Sequence, residues 1–316
     1  MPHTEGLESG PVAWIGKLSK PAASARVPTM GELTLNAGLT AASLQRRRAS
    51  TGGSIEQQRR RGAYWDQVLE GWESTPAHRL WRAHSDAING RLLRRWLPFG
   101  TGRLLKTDLF DEAVGPGPYP ELAARCRDVF GVDISPAVLR AAANRYPRLE
   151  AQVADVLDLP YEDGSFDAIF SNSTLDHFES HATLRAGIVE VARTIRRGGS
   201  LLLTLDNRAN PVVAVRTSRM FYPLHRLGLV PYFVGATHGP RALRTLLREA
   251  GFEVREMTAV MHCPPQLAAA LRVRSSCDGT VDEHRHLQRV LRFETLEHWP
   301  TSVLTGHFVA ALAIKR

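Results

Sequence analysis

Two short stretches, Gly131-Val132-Asp133-Ile134-Ser135 and Ala154-Asp155-Val156-Leu157-Asp158-Leu159-Pro160, decide how this sequence folds. In each, an apolar run stops on a carboxylate and gives way to a polar turn. That is the mark of a buried strand whose carboxyl end opens on a ligand crevice in a parallel sheet. Asp133 is placed to accept from both hydroxyls of an adenosine ribose. Asp155 can accept from the exocyclic adenine amine while the Val156 amide donates to a ring nitrogen. One strand-terminal acid is weak evidence, because such acids also cap helices or hold the ribose in nicotinamide enzymes; two on successive strands point to a nucleoside lying across both.

Working outward, β-like runs at 103–107, 128–133, 149–153, 166–171 and 199–206 alternate with helical segments. Strand alternating with helix implies a parallel sheet with right-handed crossovers. Runs at 253–257 and 308–314 extend that sheet at one side. Upstream, the spacing of Tyr64, Trp65, Val68, Leu69 and Trp72, then Leu80, Trp81, Ile88, Leu92, Leu93 and Trp96, predicts two amphipathic helices broken around Pro76. They are expected to pack on, or partly cover, the following domain, and their tryptophans to join a core or line a substrate mouth. Residues 1–54 mix Pro, Gly, Ser, Thr and Ala without periodicity and read as a disordered basic leader. The expected organisation is therefore a leader (1–54), a helical extension or cap (55–98) and an α/β domain (99–316) with an insertion at 207–240.

Composition sets limits on the class of protein. With 43% hydrophobic residues in 316, the chain has ample material for a core. The net charge of +8 is concentrated in the first 62 residues, which carry nine Lys/Arg against four Asp/Glu. The runs Arg46-Arg47-Arg48 and Arg59-Arg60-Arg61 would attract phosphates, but no aromatic or groove-reading pattern accompanies them, and a solvated tail explains them as well. Abundant Arg and Ala fit a high-GC bacterial source. Cys126, Cys263 and Cys277 form no CxxC pair, which fits a reducing cytoplasm. No segment approaches the ~18 apolar residues of a membrane span, and no metal-ligand spacing occurs among the histidines. His284 and His286 read as part of an exposed charged helix.

The order GVDIS (131–135), ADVLDLP (154–160), DGSFDAIFSNSTLDHF (163–178) and RRGGSLLLTLDN (196–207) resembles the class I S-adenosylmethionine-dependent methyltransferases of the small-molecule kind, over about residues 103–316. The resemblance implies a Rossmann-like, seven-stranded, mostly parallel sheet with an antiparallel last strand and helices on both faces. It also implies S-adenosylmethionine as cofactor and methyl transfer to a small molecule. Asp133 and Ile134 would hold the ribose, and Asp155 with Val156 the adenine. Asn172 and the loop of Leu175, Asp176, His177 and Phe178 would lie near the sulfonium and the acceptor, with His177 and Asp176 as catalytic candidates. His177 is the candidate base where the acceptor must lose a proton, unless it only packs beside the cofactor. The other readings are a non-catalytic cofactor- or partner-binding protein of the same fold and a nucleic-acid methyltransferase. Against the last, Ser171-Asn172-Ser173-Thr174 stands where an Asn/Asp-Pro-Pro-Tyr/Phe loop would be expected.

The departure from the family lies in the first motif. Where a glycine-rich loop would follow the first strand, the sequence reads Lys106-Thr107-Asp108-Leu109-Phe110-Asp111-Glu112-Ala113-Val114-Gly115-Pro116-Gly117. Asp108, Phe110 and Glu112 replace the glycines, and Lys106 replaces the acid. In one reading the loop is rebuilt: Lys106 and Thr107 border the cofactor, Gly115 and Gly117 allow close approach, and Asp108 or Glu112 receives the methionyl ammonium. In the other the pocket has closed and the protein no longer binds cofactor. The plain alternative for Asp108 or Glu112 is that it merely caps the next helix or pairs with Lys106. On the acceptor side, residues 207–240 mix aromatic and cationic groups, from which Arg216, Tyr222 and Tyr232 are candidate substrate-binding residues. Asn207 and Asn210-Pro211 read as turn formers.

Overall fold

In the computed structural model, the residues described are 55–72, 75–218, 235–264, 267–268 and 283–316. Two helices lead, α1 (Ile55–Glu70) and α2 (Pro76–Trp96). Thr75 caps α2, its hydroxyl accepting from the His78 amide at 3.2 Å, and Pro76 occupies the first turn, where its missing N–H costs nothing.

Seven strands follow, at β1 (Thr101–Lys106), β2 (Cys126–Asp133), β3 (Glu150–Val153), β4 (Phe166–Asn172), β5 (Ile195–Asp206), β6 (Phe252–Val260) and β7 (Phe308–Lys315). Their order is β3-β2-β1-β4-β5-β7-β6. The first five run parallel, and β7 lies antiparallel between β5 and β6. Strand order reverses between β1 and β4, so the crevice at their carboxyl ends is where a ligand belongs in such a sheet. The sheet is therefore the expected one. β5 begins four residues before the expected 199 because Ile195 pairs with Phe166, after which the register shifts so that Ser200 pairs with Ala168. Gly198, at φ 76°, makes the turn inside that irregularity.

Alternation along the strands sends side chains to two cores. Leu105, Ile169, Leu201, Leu203, Leu205, Val309 and Ala311 pack with Leu184, Ile188 and Val191 of α6 (His181–Thr194) and with Leu243 and Leu247 of α8 (Pro240–Glu249). Leu104, Ala168, Phe170, Leu202 and Ala310 face the other way, onto Ile88, Leu92, Leu93 and Trp96 of α2 and Val138 and Ala142 of α5 (Pro136–Arg145). α2 is thus part of the main core, while α1 lies against α5 at the rim of the sheet. The remaining short helices are α3 (Phe110–Val114), α4 (Tyr119–Arg125), α7 (Pro211–Arg216), α9 (Glu283–Leu291) and α10 (Ser302–Thr305).

One expectation is corrected here. His286 on α9 is buried, not exposed, and its ring Nε2 lies 3.1 Å from the Ala268 carbonyl. His284 on the same helix is exposed, as expected.

Candidate active site

β2 and β3 end side by side: Asp133 pairs with Val153, and the Ala154 amide donates to the Asp133 carbonyl at 3.0 Å. The sequence therefore brings Asp133 and Asp155 to adjacent strand termini. Both are buried. Asp133 Oδ1 accepts from the Ser135 amide and Oδ2 from the Leu109 amide, each at 2.8 Å. Burial pushes this carboxyl up to about 7, against the pull of those two amides. Each oxygen still has a second lone pair for a ligand hydroxyl. Asp155 Oδ1 accepts from the Leu157 amide at 3.0 Å, and its Oδ2 takes a guanidinium N–H of Arg61 from α1. Burial raises this carboxyl too, opposed by the Leu157 amide and Arg61. Val156 is buried in the first core, and Ile134 is half-buried at the strand end.

The first-motif segment is closed on itself. Lys106, the largest fully buried side chain described, sends its ammonium to the Asp108 carbonyl at 2.7 Å, Asp108 Oδ1 at 3.4 Å and Glu112 Oε2 at 3.0 Å. Burial opposes that charge, but Asp108, Glu112 and Asp111 outweigh it and hold the ammonium above its usual range. Glu112 Oε1 accepts from the Tyr119 amide at 3.1 Å. Gly117, at φ 59°, lies so close that a Cβ would fall 2.8 Å from the Glu112 carboxyl carbon. Close approach by glycine therefore occurs as expected, but toward Glu112 and not toward a ligand.

This corrects the placing of Glu112 and Lys106 against the cofactor. Glu112 already faces an ammonium, the chain's own. Gly115 is extended, with φ −161°, and makes no comparable approach. Asp111 is taken by Arg82 of α2 at 2.7 Å and by the Asn172 amide at 3.0 Å, while Asn172 Oδ1 accepts from Thr204 at 2.7 Å. Asp108 alone of the three acids keeps appreciable exposure, with 19% of its side chain accessible, and its Oδ2 accepts from Thr174 at 2.9 Å. Thr107 is buried between Ser171 and Thr174, at 3.0 and 2.9 Å.

After β4 the chain turns through Ser173, at φ 49°, into a single 3₁₀ turn, Leu175–His177. Asp176 is buried and accepts from the Ser173 hydroxyl at 3.0 Å and the Asp206 amide at 2.6 Å. Through these bonds it holds the loop against the end of β5. His177 is half-buried, with its ring 4.9 Å from that of Trp65.

A pair whose acid the sequence reading left unassigned lies beside this loop. Asp206, at the end of β5, is 3.4 Å from His307 Nε2. Burial and the neighbouring Asp176 raise the Asp206 carboxyl to about 8, while burial and then Arg216 lower His307 to about 4. The available signal was the fifth strand's own acidic end, Leu205-Asp206-Asn207, by the rule that singled out Asp133. Arg216 sits at the end of α7 and acts electrostatically on this pair; Tyr222 and Tyr232 lie outside the described residues.

Residues 110–203 match the methyltransferase domain family. Over 156 residues the chain is 28% identical to a protein of Mycolicibacterium smegmatis named as a probable S-adenosylmethionine-dependent methyltransferase, covering 49% of this chain and 55% of that one. The domain match and the curated relatives support a class I S-adenosylmethionine-dependent methyltransferase. The chain spans about half the length of the curated relatives it matches. It is also 34% identical over 93 residues to the human protein named "Probable tRNA methyltransferase 9B", covering 29% of this chain and 20% of that one. Among solved structures, geranyl diphosphate C-methyltransferase from Streptomyces coelicolor superposes with a TM-score of 0.49, at 14% identity over 86% of each chain. No group of metal-ligating side chains and no helix long and apolar enough to cross a membrane occurs among the described residues.

Proposed function

We propose that this chain transfers the methyl group of S-adenosylmethionine to a small-molecule acceptor. The observation that carries the proposal is the pairing of two buried carboxylates, Asp133 and Asp155, at neighbouring strand termini beside the topological switch point. The adenosine half of the cofactor fits this donor set. Asp133 would take the ribose hydroxyls, and Asp155 with the Val156 amide the base once Arg61 yields. For the methionyl ammonium, Asp108 is the carboxylate with exposure left to offer.

The cofactor supplies an already activated methyl group, so the protein's task is alignment of the acceptor. Where the acceptor carries a proton, Asp206 is the better-suited base than His177. It ends β5, His307 is its side-chain neighbour, and its raised pKa suits proton uptake near neutral pH. A small acceptor is favoured over nucleic acid because β4 ends in Ser171-Asn172 and continues into Ser173-Thr174, and Asn172 is tied to Asp111 and Thr204. The non-catalytic reading draws support from the Lys106–Glu112 closure.

Photocrosslinking with labelled S-adenosylmethionine separates the two. Labelling of the full chain that S-adenosylhomocysteine competes away, and that weakens in Asp133→Asn, is expected. Absence of labelling in a folded chain overturns the enzymatic reading.

A further inference from the structure

We propose that α1 is a built-in competitor for the nucleoside: its side chains occupy the rim of β2 and β3, so that docking of α1 and binding of cofactor exclude one another. The proposal rests on the reading of Asp133 and Asp155 given above. Four residues of α1, at 61, 62, 65 and 66, recur at one-turn spacing and so share a face.

Arg61 donates to Asp155 Oδ2, the same kind of bond an exocyclic adenine amine would make, and its guanidinium lies 5.8 Å from the Phe178 ring centroid. Gly62 passes over the end of β2 so closely that a Cβ there would be 2.7 Å from the Ile134 carbonyl oxygen. A base ring needs roughly 3.5 Å of van der Waals clearance, so none can enter between them. Trp65 meets the rings of His177 and Phe110, at 4.9 and 5.9 Å, and covers the loop after β4. Asp66 accepts from the Ser135 hydroxyl and, at 3.1 Å, from the Ala137 amide at the start of α5. Together these contacts take Asp155, the partner of the base, and cover the chain at 134–137 that follows Asp133.

The attachment is also reversible in character. Arg61 keeps 34% of its side chain accessible, its Nε is buried without a hydrogen-bond partner, and α1 contributes no side chain to the fully buried sets of either core. A ligand that offers Asp155 a better-shaped donor can displace it.

Calorimetry with S-adenosylhomocysteine on the full chain, Arg61→Ala and Gly62→Ala tests the proposal. Alanine is the better helix former, so Gly62→Ala leaves α1 helical while driving it off Ile134. If α1 is docked in about nine molecules of ten, each variant should bind on the order of tenfold more tightly than the parent. Hydrogen exchange of residues 55–70 in the parent should quicken when the ligand is added. Unchanged or weaker binding in both variants, or slower exchange, means that α1 completes the site and overturns competition alone. No binding by any of the three proteins overturns the methyltransferase reading and this proposal with it.

Discussion

Lys106 illustrates how a single side chain can invert a motif. A lysine at the end of a central strand is expected to reach solvent, yet it is held among Asp108, Asp111 and Glu112 with almost no accessible surface. The sequence makes the substitution of acid and glycines legible, and pairing with Lys106 was among the outcomes it allowed. It could not choose between them, because the choice depends on Gly117 folding back over Glu112 and on Arg82 arriving from α2 to take Asp111. Removing the cation alone leaves buried carboxylates uncompensated, so Lys106→Met should cost about 3–5 kcal/mol by chemical denaturation. Glu112→Gln should cost clearly less, because Asp108 still holds the ammonium and the amide oxygen can still accept from Tyr119. Equal losses would mean that the pair, and not the whole cluster, is what matters. On the ligand side, Asp108→Ala should weaken S-adenosylhomocysteine binding by roughly tenfold in calorimetry, the value of a charge-assisted hydrogen bond.

At the scale of elements, the strands were legible because apolar runs ending on Asp133, Asp155 and Asp206 have period and punctuation of their own. The place of α1 was not. Its amphipathic spacing says that one face is covered, but which surface covers it is a long-range matter of Arg61 finding Asp155 and Asp66 finding Ser135. Turn chemistry sits between these cases. Asn210, readable as a turn former, caps α7 by accepting from the Val212 amide at 2.9 Å, and its amide group also donates to the Thr305 and Gly306 carbonyls at 3.1 and 3.2 Å. It therefore ties the exit of β5 to the entry of β7. Asn210→Ala should lower stability by about 1–2 kcal/mol through the lost cap. Asn210→Asp keeps the cap but faces two carbonyls with a carboxylate, so its stability in denaturant should fall at least as far. A neutral Asn210→Asp would show that the cap alone counts.

Across the whole molecule, the buried acids at the strand ends make stability depend on pH in a defined direction. Asp133 and Asp206 titrate near 7 and 8 in the folded chain, against about 4 for an ordinary carboxylate. Between those limits the native state holds protons that the unfolded chain has released, so their contribution is full at low pH and is lost as pH rises through the folded values. His307 acts oppositely. Its pKa falls from 6.5 to about 4, so it favours the native state increasingly as pH climbs over that interval. The two effects partly cancel below pH 6.5, and above it only the carboxyl contribution remains. Stability should therefore decline from pH 6.5 to 8, by about 1.4 kcal/mol per pH unit for each group still protonated, and the thermal midpoint should fall with it. Asn at 206 would be neutral at every pH, so Asp206→Asn should flatten the decline above pH 7, where Asp133 has already released its proton. If the enzyme uses Asp206 as its base, methyl transfer should rise through about pH 8 in the parent and lose that rise in the variant. A midpoint that climbs between pH 6.5 and 8 would mean that these carboxyls are ionised in the folded chain, and would remove Asp206 as a proton acceptor of raised affinity.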